Sequence, residues 1–267
     1  MICNVAPKEN VSMKKMMYFL VMICFVLLPI GCTPEDKEEK TTLMISAAAS
    51  LTDALNELKP IFEDEHPSIE LTFNYGGSGK LVQMIIQGAP SDVLLSASGS
   101  DMDKLQVEDM ILKDTHVNFA ENELALITNK DQPTKISSFE EIRSASVDHL
   151  AIGEPESVPA GRYTKQVLER LDLWDSLTGS LVMGSDVRQV LTHVELGNAD
   201  AGIVYASDVL RSEKVIIVAT ADANWHDQIM YPGAVVSDTA HPDEAKAFLA
   251  FLTSDQGQEL LHKHGFK

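Results

Sequence analysis

Cysteine is scarce in this chain of 267 residues, and its positions exclude a structural disulfide from most of the sequence. The three cysteines, Cys3, Cys24 and Cys32, all lie near the N-terminus. Everything that follows them must be stabilised by packing alone. Clusters of metal ligands are lacking too, because the closest pair of histidines, His262 and His264, has no cysteine or further histidine nearby. We therefore expect no metal and no other cofactor.

Basic residues are also few. The chain has 21 lysines and arginines against 40 aspartates and glutamates, so its formal net charge is -19. Such an acidic surface argues against nucleic acid as a partner. It also means that any binding site for an anion must be local, neutral and shielded from the overall field. Backbone amides and hydroxyl groups suit that role.

The sequence has no apolar run long enough to span a membrane. The run from Met16 to Ile30 is shorter than the roughly 20 residues that are needed. It follows Met13-Lys14-Lys15 and ends at Gly31-Cys32, before a charged stretch. This arrangement predicts a cleaved export signal over residues 1–31, with Met13 as the true start of translation.

The Gly31-Cys32 pair resembles the end of a bacterial lipoprotein signal. That resemblance implies that Cys32 is lipidated and becomes the first mature residue, and that residues 32–41 form a polar tether. The protein would then be anchored on the extracytoplasmic face of the cell membrane through Cys32. The alternative is an ordinary signal peptide with an incidental cysteine.

Hydrophobic periodicity alternates between strand and helix along the rest of the chain. Strand patterns occur at 42–48, 69–75 and 93–95, and again at 123–128, 150–153 and 201–205. Helical patterns fall between them, for example at 161–171. Strands that alternate with helices predict an α/β fold with mixed, mostly parallel sheets and a ligand site at the carboxyl ends of the strands.

We interpret the mature chain as two α/β lobes. Residues 42–122 and 235–267 are assigned to the first lobe, and residues 123–234 to the second. The chain is expected to cross between the lobes near Glu121–Leu126 and again near Met230–Val236, so that two strands form the hinge.

Four loops of small residues each open a helix with apolar periodicity. A helix start carries free backbone N–H groups and the positive end of the helix dipole, so several starts aimed at one point make a site for an anion. The loops are Ala47-Ala48-Ala49-Ser50-Leu51, Tyr75-Gly76-Gly77-Ser78-Gly79, Val158-Pro159-Ala160-Gly161 and Gly184-Ser185-Asp186-Val187-Arg188. The pattern predicts an anion receptor.

The second of these loops fits no enzyme motif. A nucleotide phosphate loop would need a glycine at Asn74 and a hydroxyl residue at Leu81. A nucleophile elbow centred on Ser78 would need a glycine at Lys80. We therefore expect no catalytic role, and interpret the glycines as a flexible loop that lets the backbone approach a ligand closely.

Five motifs in this order resemble the molybdate-binding proteins of bacterial ABC importers. They are Ala47–Leu51, Gly88–Val93, Gly153–Pro155 with Val158–Gly161, Asp186–Arg188 and Gly202–Asp208. The resemblance extends from about Thr42 to Phe266. It implies a type II periplasmic-binding-protein fold whose two lobes are hinged around molybdate or tungstate. It also implies a monomer that delivers this anion to a membrane permease and its ATPase.

The same resemblance implies which residues contact the anion. They are Ser50 through its hydroxyl and amide, Ser78, the amides of Ala160 and Val187, and the hydroxyl of Tyr205. Two positions depart from the family pattern. Ser78 lies between glycines where the family has a serine-rich loop, so this loop could supply one or two side-chain donors. Ser98, which follows the third strand, stands where the family often has an aspartate.

Several of these residues also have a purely structural interpretation. Ser50 with Asp53 three positions later fits a helix capping box. Tyr205 ends a strand, where a buried phenol is usually part of the core. Arg162 and Arg188 are interpreted as solvated surface charges, with at most a supporting role beside the site or between the lobes.

Other functions stay open at this point. The receptor could bind another tetrahedral oxyanion such as sulfate or phosphate. An exported enzyme of the same fold and a sensor domain that presents the anion to a signalling partner are alternatives of a different class. Binding without consumption of the anion would exclude the enzyme.

Overall fold

The computed structural model describes residues 40–143 and 147–267. The predicted signal peptide 1–31, Cys32 and the tether up to residue 39 lie outside the described residues. Within the described ranges, no helix combines the length and the apolar character that a membrane crossing requires.

The elements alternate along the chain as the periodicity predicts. The strands are β1 (Thr41–Ala48), β2 (Ile69–Gly76), β3 (Val93–Leu95), β4 (Val117–Glu121), β5 (Leu124–Asn129), β6 (Leu150–Gly153), β7 (Leu181–Gly184), β8 (Ala201–Tyr205), β9 (Val215–Thr220) and β10 (Met230–Val235). The α-helices are α1 (Thr52–Glu65), α2 (Ser78–Ile86), α3 (Gly99–Val107), α4 (Pro159–Arg170), α5 (Trp174–Leu177), α6 (Val187–Glu195), α7 (Ala206–Val209), α8 (Pro242–Leu252) and α9 (Asp255–Lys263).

The strands form two mixed sheets of five. The first has the order β2-β1-β3-β10-β4, in which β1 is parallel to β2 and β3, and β10 is antiparallel to β3 and β4. The second has the order β7-β6-β8-β5-β9, in which β6 is parallel to β7 and β8, and β5 is antiparallel to β8 and β9. The predicted two-lobe α/β fold with mixed sheets is confirmed.

The core of the first lobe follows from the two periods in its sequence. Along β1 the alternate residues Leu43, Ile45 and Ala47 are fully buried. On α1 the apolar residues recur every three or four positions, which turns one face of the helix towards the sheet. Phe62 on that face meets the ring of Phe248 from α8 edge-on, with ring centroids 5.6 Å apart.

The second crossing between the lobes lies earlier in the chain than predicted. β10 is hydrogen-bonded to β3 and β4 of the first sheet, so Met230–Val235 belong to the first lobe. The chain therefore returns within residues 221–229, between β9 and β10, and the predicted boundary at 235 is wrong. An apolar strand at a hinge has the same local pattern whichever sheet it joins, so periodicity alone could not place it.

Candidate anion site between the lobes

The four predicted loops meet around one small cavity between the two sheets. Each loop follows the carboxyl end of a strand: β1 and β2 in the first lobe, and β6 and β7 in the second. The space between its lining atoms amounts to about 200 Å³, including solvent at the opening. The structure brings all five predicted contact residues to its wall, namely Ser50, Ser78, Ala160, Val187 and Tyr205.

The rest of the cavity wall is small or apolar. The other lining residues are Ala48, Ala49, Gly76, Gly77, Ala97, Val158 and Pro159. Among the described residues that line the cavity, none has a side chain with a formal charge. The wall thus offers hydroxyls and backbone amides, which can satisfy an anion without the desolvation cost of a buried ion pair.

Ser50 does not cap a helix. It lies in a short 3₁₀ turn, Ala49–Leu51, which has no side-chain cap, and α1 begins one residue later. Its hydroxyl oxygen lies 2.9 Å from the hydroxyl of Tyr231 on β10. The proposed capping partner Asp53 forms ion pairs with arginines instead. The capping-box interpretation is therefore wrong, and the Ser50 hydroxyl is held beside the cavity by Tyr231.

Ser78 is fully buried at the first position of α2. Its hydroxyl oxygen accepts a hydrogen bond of 3.0 Å from the N–H of Ala97. A backbone N–H can only donate, so the serine proton is left to point elsewhere. Since both residues line the cavity, Ser78 is able to donate to an acceptor within it.

Tyr205 ends β8 and is almost completely buried. Its hydroxyl has no hydrogen-bond partner among the described residues, which is unusual for a buried phenol. Burial raises the pKa of Tyr205 well above its ordinary value, so the phenol keeps its proton. Packing in the core accounts for the ring, but the unpartnered hydroxyl at the cavity wall indicates a donor to a ligand.

The two predicted amide donors are placed by helix starts. Ala160 is the second residue of α4, just after Pro159, and Val187 is the first residue of α6. N–H groups in the first turn of an α-helix have no acceptor within that helix. The positive ends of both helix dipoles add to the attraction for an anion. Asp186 caps α6 through the N–H of Gln189 at 3.0 Å, so its carboxylate is engaged locally.

The glycines of the second loop have a further role besides the predicted one. The N–H of Gly79 donates to the carbonyl of Ser157 in the second lobe at 3.0 Å. A Cβ atom on Gly77 or Gly79 would lie 2.8 or 2.9 Å from that same carbonyl oxygen. Gly77 and Gly79 therefore allow close contact between the lobes, and Gly76 and Gly77 also line the cavity.

Three arginines of the second lobe pair with carboxylates of the first. Arg188 and Arg211 lie 3.2 and 2.9 Å from the oxygens of Asp53, and Arg162 contacts the fully buried Asp101. Arg162 and Arg188 are thus not solvated surface charges. Both form ion pairs between the lobes, which is one of the two supporting roles considered for them from the sequence.

Sequence reasoning missed Tyr231 and Asn122. Tyr231 is fully buried and bonded to Ser50, and the amide nitrogen of Asn122 lies 3.5 Å from the Tyr231 hydroxyl. No short-range signal could have found this contact, because Ser50 and Tyr231 are far apart in the sequence. Ser98 does not line the cavity, and its hydroxyl lies 2.9 Å from that of Ser100.

Within the described ranges, no three or more His, Cys, Asp or Glu side chains are grouped so that they could hold a metal ion. His264, one of the closest histidine pair in the sequence, lies 3.0 Å from the carboxylate of Glu57.

Comparison with known families agrees with this geometry. Residues 43–267 match the family described as bacterial extracellular solute-binding protein. The chain belongs to this family. Its members are solute-binding proteins rather than enzymes, and they function outside the cytoplasm.

Relatives within the family have related names. YvgL of Bacillus subtilis strain 168, provisionally named as an ABC transporter substrate-binding lipoprotein, is 42% identical over 95% of this chain and 98% of its own. The molybdate-binding protein ModA of Haemophilus influenzae is 34% identical over 83% of this chain and 88% of its own. These relatives confirm the resemblance that the five motifs indicated.

A solved structure gives the same result. The substrate-binding domain of a provisionally named molybdenum ABC transporter from Clostridium difficile is 39% identical, with a TM-score of 0.66. The alignment covers 85% of this chain and 99% of that domain. The two-lobe architecture is therefore shared along the whole of that solute-binding domain.

Proposed function

We propose that this protein captures molybdate, or the nearly equal tungstate, between its lobes and delivers it as a monomer to an ABC permease and its ATPase. The observation that carries the proposal is the cavity between the lobes. Five neutral donor positions from both lobes line it, and none of the described residues in its wall has a charged side chain. The names of the relatives support molybdate as the anion. We propose no catalytic role and no cofactor.

A site made only of donors selects its anion by protonation state and size. Phosphate keeps a proton at neutral pH, and that proton would face donors, at a cost of about 1 to 3 kcal/mol for the unmatched group. Sulfate is fully deprotonated but smaller, so donors spaced for molybdate would lie too far from some of its oxygens. Molybdate and tungstate should bind with similar strength.

Calorimetric titration of the protein with molybdate, tungstate, sulfate and phosphate tests this proposal. We expect one binding site, full recovery of the unchanged anion, and much tighter binding of molybdate and tungstate than of the other two. Sulfate or phosphate bound as tightly as molybdate would contradict the assignment of the ligand. Consumption of the anion would contradict the solute-binding role.

We further propose that Cys32 is lipidated and anchors the protein to the membrane. The Gly31-Cys32 pair after an apolar run and the lipoprotein name of the Bacillus relative support this. A single acyl chain gives only marginal anchoring, whereas a triacylated cysteine holds firmly. Cys32→Ala should therefore move the protein from the membrane fraction to the soluble fraction, as followed by fractionation and immunoblotting. A variant that stays in the membrane fraction after signal cleavage would refute lipidation.

A further inference from the structure

A chain of hydrogen bonds lies behind Ser50 and is not explained by packing alone. It runs from Asn122, in the connection between β4 and β5, through the hydroxyl of Tyr231 to the hydroxyl of Ser50. We infer that Tyr231 is a positioning residue that fixes the direction of the Ser50 proton, and so makes the site reject oxyanions that carry a proton. This inference rests on the proposed function of the cavity.

The orientation of the Asn122 side chain is set by its own neighbour. Its amide oxygen accepts a hydrogen bond of 2.9 Å from the N–H of Glu123, so its nitrogen must be the atom that faces the other way. That nitrogen donates to the hydroxyl of Ser207 at 2.8 Å and lies 3.5 Å from the hydroxyl of Tyr231. The nitrogen of a side-chain amide can donate but cannot accept.

The direction of the Tyr231 proton follows from this arrangement. Tyr231 is fully buried, and burial raises the pKa of its phenol well above the ordinary value, so the proton stays on the hydroxyl. Of its two partners among the described residues, Asn122 offers only N–H groups, whereas Ser50 offers a hydroxyl oxygen. Since a buried O–H is almost always paired, the phenol donates to Ser50.

The consequence for Ser50 is that its proton cannot point at Tyr231. The oxygen of Ser50 accepts from the phenol, and its O–H is left for the cavity that Ser50 lines. Ser78 is constrained in the same way by the N–H of Ala97. Each serine oxygen has already accepted one hydrogen bond, so its O–H is the group left to point at the anion. A protonated oxygen of an anion would face these protons and could reach only the one lone pair that remains on each serine.

The ring and the hydroxyl of Tyr231 can be separated by experiment. The ring packs edge-on against Phe119, Tyr205 and Phe266, with centroids 6.2, 5.9 and 5.2 Å away. Tyr231→Phe keeps these contacts and removes the hydroxyl that donates to Ser50, while the amide nitrogen of Asn122 keeps its shorter hydrogen bond to Ser207. A role in packing alone would leave the choice between anions unchanged in this variant.

The test is calorimetric titration of the wild-type protein and Tyr231→Phe with molybdate and with phosphate, from about pH 6 to pH 8. We expect the Kd for molybdate to rise severalfold in the variant, and the ratio of the phosphate Kd to the molybdate Kd to fall by about tenfold. Tyr75→Phe is the matched control, because its hydroxyl bonds to Asn56 at 3.1 Å and does not line the cavity. This control should keep the wild-type ratio.

A double-variant cycle checks that Tyr231 acts through Ser50. Combined with Ser50→Ala, the Tyr231→Phe change should cause no further loss of molybdate affinity. An unchanged ratio in Tyr231→Phe, or losses that add in the double variant, would overturn the inference. If Tyr231→Phe does not fold, Asn122→Asp replaces it, because a carboxylate oxygen in place of the amide nitrogen can accept from the phenol. The Ser50 O–H is then free to turn towards Tyr231, and the ratio should fall likewise. Wild-type protein that binds no molybdate would refute the proposed function instead.

Discussion

The hydroxyl of Tyr205 is the donor whose removal should weaken anion binding without lowering the free energy of unfolding. It lines the cavity and has no hydrogen-bond partner among the described residues. Tyr205→Phe should therefore leave the free energy of unfolding unchanged or slightly raised, because a buried unpaired hydroxyl is removed. It should weaken molybdate binding about tenfold or more, since a hydrogen bond to a charged group is worth roughly 1.5 to 3 kcal/mol.

Calorimetry and thermal unfolding of the same samples check both halves of this prediction. Tyr75→Phe again serves as the control for loss of a phenol outside the cavity. If Tyr205→Phe bound molybdate as tightly as the wild type, Tyr205 would be a residue of the core and not a donor.

Asp208 is a buried carboxyl group whose titration should change stability. Burial is the main cause that raises its pKa from 3.8 to about 7, and the charge of Asp53 adds to this effect. The N–H of Tyr205 and the charges of Arg211 and Arg188 lower the pKa, but by less than burial raises it. Between these two pKa values the folded state binds the proton more tightly than the unfolded state. The contribution of Asp208 to stability is thus largest at low pH and is lost as the pH rises towards 7.

Asp208→Asn should remove this part of the pH dependence. An asparagine keeps an oxygen that can accept from the Tyr205 N–H, a bond of 3.1 Å in the structure. Denaturant unfolding at about pH 5 and about pH 8 checks this. As the pH rises between these values, the free energy of unfolding should fall more in the wild type than in Asp208→Asn. Equal losses in the two proteins would mean that Asp208 does not titrate in this range.

The five predicted residues that line the cavity could be found one by one in the sequence, but the neighbours that surround them could not. Ser50, Ser78, Ala160, Val187 and Tyr205 stand in motifs that a short stretch of sequence reveals. The partner of Ser50 lies on a strand far away in the sequence, and the unpartnered state of the Tyr205 hydroxyl depends on everything packed around it. Such facts are properties of tertiary packing.

At the scale of elements, the start of α2 is one of the places where the lobes touch. Gly79, the second residue of this helix, donates to the Ser157 carbonyl, and a Cβ there would be 2.9 Å from that oxygen and 3.1 Å from the Ser157 Cα. Gly79→Ala should separate the lobes at this point and weaken molybdate binding by roughly fivefold, about the value of one lost hydrogen bond.

Gly99→Ala is a matched control for this prediction. Gly99 also lies in the first turn of a helix, α3, and a Cβ there would meet no atom within 4 Å. Calorimetric titration should show wild-type affinity for this variant and reduced affinity for Gly79→Ala. Equal affinities would mean that contact between this loop and Ser157 does not contribute to binding.

The elements themselves were predictable where one local pattern dominated. Three strands, β3, β6 and β8, have the predicted bounds, and β1, β2 and β5 differ by a residue at one or both ends. The strands β4, β7 and β9 were not predicted. β7 and β9 are edge strands with half-exposed or exposed residues, so their apolar signal is weak. β10 was predicted as a strand, but the sheet that it joins is decided by its pairing with other strands and not by the local sequence of β10.

On the scale of the whole molecule, charge serves contact between the lobes rather than the anion. The chain carries a formal net charge of -19, yet Arg162, Arg188 and Arg211 lie at the interface of the lobes, each paired with a carboxylate of the first lobe. Arg188 and Arg211 share the carboxylate of Asp53, so the two carboxylates balance two of the three positive charges. None of the three arginines lines the cavity, so we expect the contacts with the anion to come from hydroxyls, amides and helix dipoles.

A crystal structure of the protein with molybdate tests the central claim most directly, because molybdenum can be located by its anomalous scattering. We predict molybdenum in the cavity between the two sheets, with oxygens at hydrogen-bond distance from the hydroxyls of Ser50, Ser78 and Tyr205 and from the amides of Ala160 and Val187. Molybdate bound anywhere else, or held there by charged side chains instead of these five residues, would contradict it.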